Sequence, residues 1–171
     1  MEVAKQSTRF LELMDCYGPA LKRLVSGYAD SQADREDLLQ EIALQLWRAL
    51  PSFRGQSTER TWLYRVAHNT AITALHKRIA LRTRETTAED PAAETLHRDT
   101  EIEERRRLLV KAIRQLDPLD RQIVLLHFEE LSYSEIEEIT GLSVSAIGAR
   151  LTRARERLAE SIRKGADNHA R

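Results

Sequence analysis

The chain has 171 residues, with 27 Lys and Arg against 27 Asp and Glu, so its formal net charge is zero. At 42% apolar, 32% charged and 5% aromatic residues, it can build one ordinary domain or two small ones covered by charge. The single Cys16 excludes an intramolecular disulfide framework, no apolar run approaches the roughly 20 residues that span a bilayer, and the N-terminus lacks a signal-peptide core, so the expected setting is cytoplasmic with no membrane span.

Few Gly and Pro, abundant Ala, Leu, Glu and Arg, and no alternating Val/Ile/Tyr run predict an all-α fold. Apolar periodicity predicts helices near 7–29, 34–50 and 59–79, then near 101–115, 119–130, 133–140 and 144–163. Between the two groups, RTRETTAEDPAAETLHRD (82–99) has almost no large apolar residue and contains Pro91, so it reads as a linker. The expected organisation is two small helical domains, 1–80 and 106–164, with a flexible linker at 81–105 and a tail at 165–171.

The helix DREDLLQEIALQLWRAL (34–50) is amphipathic, with Leu39, Ile42, Leu46, Ala49 and Leu50 as the expected inward stripe. Opposite lie Asp37, Glu41, Leu44 and Arg48, so a leucine stands among charges on the wet side. Such a face is either one harmless exposed leucine or an apolar anchor with a charged rim, suited to docking a protein.

The next segment, SFRGQSTERTWLYRVAHNTAITALHKR (52–78), starts a helix near Ser57. Trp62, Arg65, Asn69, Thr73 and His76 share one side of its wheel, and Leu63, Val66, Thr70 and Ala74 share another. Aromatic, amide and basic groups interleaved on one face suit single-stranded nucleic acid, where bases stack and expose hydrogen-bonding edges.

Past the linker, Thr100 with Glu103 and Ser132 with Glu135 have capping-box spacing. Gly141 can end a helix in the left-handed conformation, and Ser143 can cap the next, which gives helix, short turn, helix. Residues 117–140 hold one basic group, Arg121, against seven acidic ones; residues 141–164 hold six basic groups against two acidic ones. On the basic helix Val144, Ile147, Leu151, Ala154 and Leu158 face inward, while Ser145, Ala149, Arg150, Arg153 and Arg157 lie opposite. Small residues first and arginines later suit a helix that enters the major groove and reaches base edges and phosphates. The competing reading is a solvated hairpin held by internal ion pairs.

An enzyme lacks support in the sequence. The five histidines show no His-Glu-x-x-His spacing, and there is neither a Gly-rich phosphate loop nor a nucleophile elbow. No metal or cofactor is expected. A dimeric helix-turn-helix regulator using only 101–163 would require an effector or phospho-acceptor domain in front of it, which Asp34–Arg78 resembles in neither form.

Taken together, DREDLLQEIALQLWRALPSFRG and TWLYRVAHNTAITALHKR resemble the second conserved region of bacterial RNA polymerase sigma factors of the extracytoplasmic-function type. LDPLDRQIVLLHFEELSYSEIEEITGLSVSAIGARLTRARERL resembles their fourth. The resemblance implies a factor without catalytic residues that binds core RNA polymerase, through its clamp helices and flap, and directs initiation at promoter DNA. Asp37, Gln40, Glu41 and Leu44 would dock on the clamp helices. Residues 55–78, through Ser57, Thr58, Arg60, Trp62, Arg65, Asn69, His76 and Lys77, would open the downstream element and hold flipped bases, offsetting an unpairing cost of a few kcal/mol. Ser143, Ser145, Ala149, Arg150, Thr152, Arg153 and Arg157, within helix 144–158, would read the upstream element as duplex. An anti-sigma factor is the further partner implied. The chain departs from the family pattern at Gly148 and Ala149, at His68, where an arginine is common, and at Thr73 and Ala74.

Overall fold

The computed structural model describes residues 2–84 and 101–169, and every regular element among them is helical. In chain order these are α1 (Glu2–Ser26), α2 (Gln32–Ala49), a 3-10 turn (Leu50–Ser52), α3 (Glu59–Arg84), α4 (Glu101–Arg114), α5 (Pro118–Phe128), α6 (Tyr133–Thr140) and α7 (Val144–His169). They fall into two compact units, one holding α1–α3 and the other α4–α7. Both ends of the expected 81–105 linker are helical: residues 81–84 continue α3 and 101–105 open α4. The expected tail likewise continues α7 as far as His169. The expected cap at Thr100 lies outside the described residues.

In the first unit, local polar groups set where each helix begins. Ser31 caps α2, its hydroxyl accepting from the Asp34 N–H at 3.0 Å. Arg35 then reaches back to donate to the carbonyls of Ala29 (3.2 Å) and Asp30 (2.7 Å), which fixes the turn from α1. At the start of α3 the capping hydroxyl belongs to Thr58, not Ser57: it accepts from the Thr61 N–H at 3.1 Å, while the Thr58 carbonyl takes the Trp62 N–H. One residue decides this, because Thr58 stands three positions before Thr61, the last N–H of the first turn without a backbone carbonyl to bond.

The core of this unit joins Leu13, Leu21, Leu24 and Val25 of α1 to Leu38, Ile42 and Leu46 of α2 and to Leu63, Tyr64, Ala67 and Ala71 of α3. Leu38, rather than the expected Leu39, leads the buried stripe of α2 with Ile42 and Leu46; both leucines stand at helical spacing from that stripe, and Leu39 is half-buried. Each such leucine or isoleucine contributes about 1.5–3 kcal/mol by leaving water. Around this core Phe10 packs edge-on against Trp47 at 5.4 Å, and Arg78 pairs with Asp34 at 2.9 Å, tying the far part of α3 to the start of α2.

His68 is fully buried in that core. Its Nδ1 lies 3.0 Å from the Tyr28 hydroxyl, and its Nε2 has no hydrogen-bond partner. A charged ring would bury two N–H donors with one partner, so burial pushes its pKa down to about 3. The ring is neutral in the folded chain.

The second unit is a helix-turn-helix with a longer scaffold. Asp117 caps α5 by accepting from the Asp120 N–H at 3.1 Å, with Pro118 at the first helical position, where no N–H is needed. Ser132 and Glu135 form the expected reciprocal capping box of α6. Gly141 ends α6 at φ 73°, a conformation that costs a side-chain-bearing residue energy, and Ser143 caps α7 through the Ala146 N–H at 3.3 Å. Ile147, Leu151, Ala154 and Leu158 of α7 are buried with Ile123, Leu126, Ile136 and Ile139, as their periodicity requires. Val144 is 42% exposed against expectation: as the first residue of α7 it stands at the helix end, not along its packed length.

Two outcomes follow from this packing. The folded-state pKa of His68 is depressed, so between about pH 6.5 and 3 the unfolded chain binds the extra proton and stability rises with pH. The contribution is complete above pH 7 and falls by about 1.4 kcal/mol for each unit below 6.5. Urea unfolding at pH 7 and pH 5 should show that loss, and His68→Gln, which cannot titrate, should remove it. At Gly148 an added methyl would meet only the Tyr133 ring edge at 3.7 Å, an ordinary contact. Gly148→Ala should therefore stabilise the chain by about 0.5–1 kcal/mol through helix propensity, read as a higher urea midpoint with unchanged slope.

Candidate nucleic-acid interface

The open face of α7 carries Ser145, Ala149, Thr152 and Arg153, all exposed, with Ser143 exposed at its entry. The Ser143 and Ser145 hydroxyls lie 3.2 Å apart, and the Thr152 hydroxyl donates to the Gly148 carbonyl at 3.0 Å. The Gly148–Ala149 pair keeps the early surface low, which suits close approach of a groove wall. Arg153 stands on this face with no hydrogen-bond or ion-pair partner among the described residues.

The other arginines are held at the edges of that face. Arg150 donates to the Asp120 carboxylate at 2.6 Å, and Asp120 is only 5% exposed. Arg157 approaches the second oxygen of the same carboxylate at 3.5 Å and Asp117 at 3.8 Å. Arg155, on the opposite flank, meets His127 Nε2 at 2.9 Å. Partial burial acts to raise the Asp117 pKa, but hydrogen bonds from Asp120 and Leu119 and the charge of Arg150 outweigh it, so its carboxyl titrates below the usual carboxylate range. Arg121 is buried beneath, donating to the Leu116 carbonyl at 3.1 Å and also to that of Arg114. Of the expected upstream set, then, Arg150 and Arg157 are engaged within the protein. Sequence reasoning counted Asp120 only as part of an acidic run; its position at the third residue after the Asp117 cap is what turns it into the helix packing.

On α3, Asn69, Thr73, His76 and Lys77 lie exposed, Arg65 and Arg60 are half-buried, and Thr58 is spent on the helix cap beside half-buried Ser57. Trp62 differs from expectation. It sits in the middle of this face on the wheel, yet it is 9% exposed, with Phe53 packed over it at 4.9 Å between ring centroids and an angle of 32°. The segment between the 3-10 turn and α3 folds back over the indole, which is therefore not an open platform. Phe53 is the residue that sequence periodicity could not supply, because it lies outside any helix.

On α2, Asp37, Gln40, Glu41, Leu44 and Arg48 are all exposed on one face. Gln45 donates to Glu41 at 2.8 Å beside Leu44, which is 42% exposed. Leu44 thus stands exposed among charged and polar side chains.

Comparison with known proteins adds to this geometry. Residues 13–79 match the family described as Sigma-70 region 2, and residues 106–158 match Sigma-70, region 4. The RNA polymerase sigma factor YlaC of Bacillus subtilis is 33% identical over 134 residues, covering 75% of this chain and 78% of that protein. The ECF RNA polymerase sigma-E factor of Escherichia coli is 34% identical over 161 residues, covering 85% and 82%. Among solved structures, the fold is shared with the sigma factor RpoE in complex with the anti-sigma factor NepR from Bartonella quintana, at a TM-score of 0.73 and 23% identity over 91% of this chain and 97% of that one. It is also shared with CnrH in complex with the cytosolic domain of CnrY, at a TM-score of 0.65 and 23% identity over 90% and 87%. The two matched regions, in order and on two helical units with an exposed polar face on α3 and a basic one on α7, place the chain in the sigma-70 family of RNA polymerase sigma factors, in its extracytoplasmic-function group.

Proposed function

We propose that this chain binds core RNA polymerase and directs transcription initiation at promoters by a division of labour between its two units. The observation that carries the reading is the pair of ordered matches, region 2 on α1–α3 and region 4 on α4–α7. Residues 1–80 dock on the polymerase through the α2 face of Asp37, Gln40, Glu41 and Leu44, and engage the downstream element through α3 with Asn69 at its centre. Residues 106–164 read the upstream element as duplex, with Ser145, Ala149, Thr152 and Arg153 of α7 at the groove. The polymerase supplies the chemistry, so the factor needs no catalytic residue. It works in the cytoplasm, where an anti-sigma partner of the kind solved with RpoE would withhold it from polymerase.

Zero net charge supports a factor that depends on polymerase for specificity, because a chain without excess positive charge gains little from releasing counterions along arbitrary duplex. A free-standing regulator would leave the α2 and α3 faces without a role.

Run-off transcription with core polymerase tests the reading directly: the chain should start transcripts at discrete promoters, and core polymerase alone should not. A two-by-two comparison then separates the units. Arg153→Ala should weaken engagement of duplex upstream DNA by about 1–3 kcal/mol, with no rescue from a pre-melted bubble. Asn69→Ala should leave upstream binding intact and reduce strand opening, and the bubble template should restore most of its transcription. The reverse pattern of rescue would mean that the two helices have each other's roles.

A further inference from the structure

Resting on the reading of α7 as the duplex-reading helix, we infer that Asp120 is a positioning residue for promoter discrimination: its carboxylate aligns α7 and withholds Arg150 and Arg157 from DNA phosphates. Both of its oxygens are used, one by Arg150 at 2.6 Å and the other by Arg157 at 3.5 Å, and its side chain is 5% exposed. The two arginines are seven residues apart, two helical turns, and leave α7 on the same flank. A single fixed point on α5 that engages both turns opposes rotation of α7 about its axis and sliding along it.

Arg153 lies between them in sequence, three residues after Arg150 and four before Arg157, on the open side. Its placement in a groove is therefore set by a carboxylate that it does not touch. A guanidinium already paired with a carboxylate of the protein releases less counterion when DNA arrives, so Arg150, at 2.6 Å from Asp120, and to a smaller degree the more exposed Arg157, at 3.5 Å, add less to sequence-blind attraction than free arginines would. Asp120 in this way shifts binding from phosphate attraction towards base reading by the residues left free.

The test uses the full chain assembled with core polymerase, on a duplex fragment selected by that holoenzyme from a random pool and on its scrambled counterpart, over a range of salt concentrations. Asp120→Asn keeps the side chain's shape and removes its charge. The slope of log affinity against log salt should steepen by about one, for Arg150, because Arg157 keeps Asp117 at 3.8 Å. Preference for the selected fragment should fall by about tenfold. An unchanged or shallower slope would reduce Asp120 to a structural residue and overturn the inference, as would unchanged discrimination.

If Asp120→Asn does not fold, Arg150→Met decides. It should lower discrimination while leaving the salt slope as it was, and a slope shallower by about one would overturn the inference by placing Arg150 on a phosphate. Arg153→Met serves as the control for the parent reading. A loss of discrimination in Arg153→Met without any change in Asp120→Asn leaves α7 on DNA and removes only the role of Asp120. No effect of Arg153→Met on slope or discrimination removes both.

Discussion

The burial of one stripe of α7, Ile147, Leu151, Ala154 and Leu158, is the constraint from which the second unit follows. That stripe needs a partner surface, and the short helices α5 and α6 supply it with Ile123, Leu126, Ile136 and Ile139. Neither is long enough to be stable alone: at 11 and 8 residues they depend on packing and on their caps. The Asp117 cap, the Ser132–Glu135 box and the left-handed Gly141 therefore do more than mark helix ends. They hold α5 and α6 in an arrangement that accepts the stripe, and the opposite side of α7 is presented as a result.

Charge is distributed by the same packing. A zero sum conceals an acidic stretch followed by a basic one, and the fold cancels part of that contrast internally. Asp120 and Asp117 take up Arg150 and Arg157. A buried carboxylate with two guanidiniums is costly to break from one side, about 3–5 kcal/mol for a lone buried pair, although a well-packed apolar replacement could be equally stable. In the role inferred above, its contribution is the orientation that it imposes more than stability.

Most of the architecture was legible in the sequence because it rests on short-range signals. Periodicity located all seven α-helices of the described residues, and Gly141, Ser143 and the Ser132–Glu135 spacing defined the turn before α7. What was not legible needed knowledge of contacts between elements. Periodicity alone could not choose between adjacent Leu38 and Leu39, since both border the stripe and only the angle of α1 and α3 decides. Asp120 counted as one more acidic residue until α5 and α7 were side by side. Trp62 lay on the right face of its helix, and the aromatic that covers it comes from an irregular segment with no periodicity to read. The two regions were recognisable as an ordered pair, whereas which side chains on each face remain free depended on partners far away in sequence.

The packed stripe and the open face of α7 share one helix, and successive residues on it are turned by about 100°. Inserting or deleting a single residue between Ile147 and Arg153 would swing every later side chain by that angle, carrying Arg153 off the open side while pulling Leu158 out of the core. Length is thus frozen across this stretch. If α7 reads duplex as proposed, descendants of the chain can acquire a different sequence preference by exchanging Ser145, Ala149, Thr152 or Arg153 one at a time, but not by gaining or losing residues between them, so divergence of specificity is confined to a small alphabet written at fixed positions.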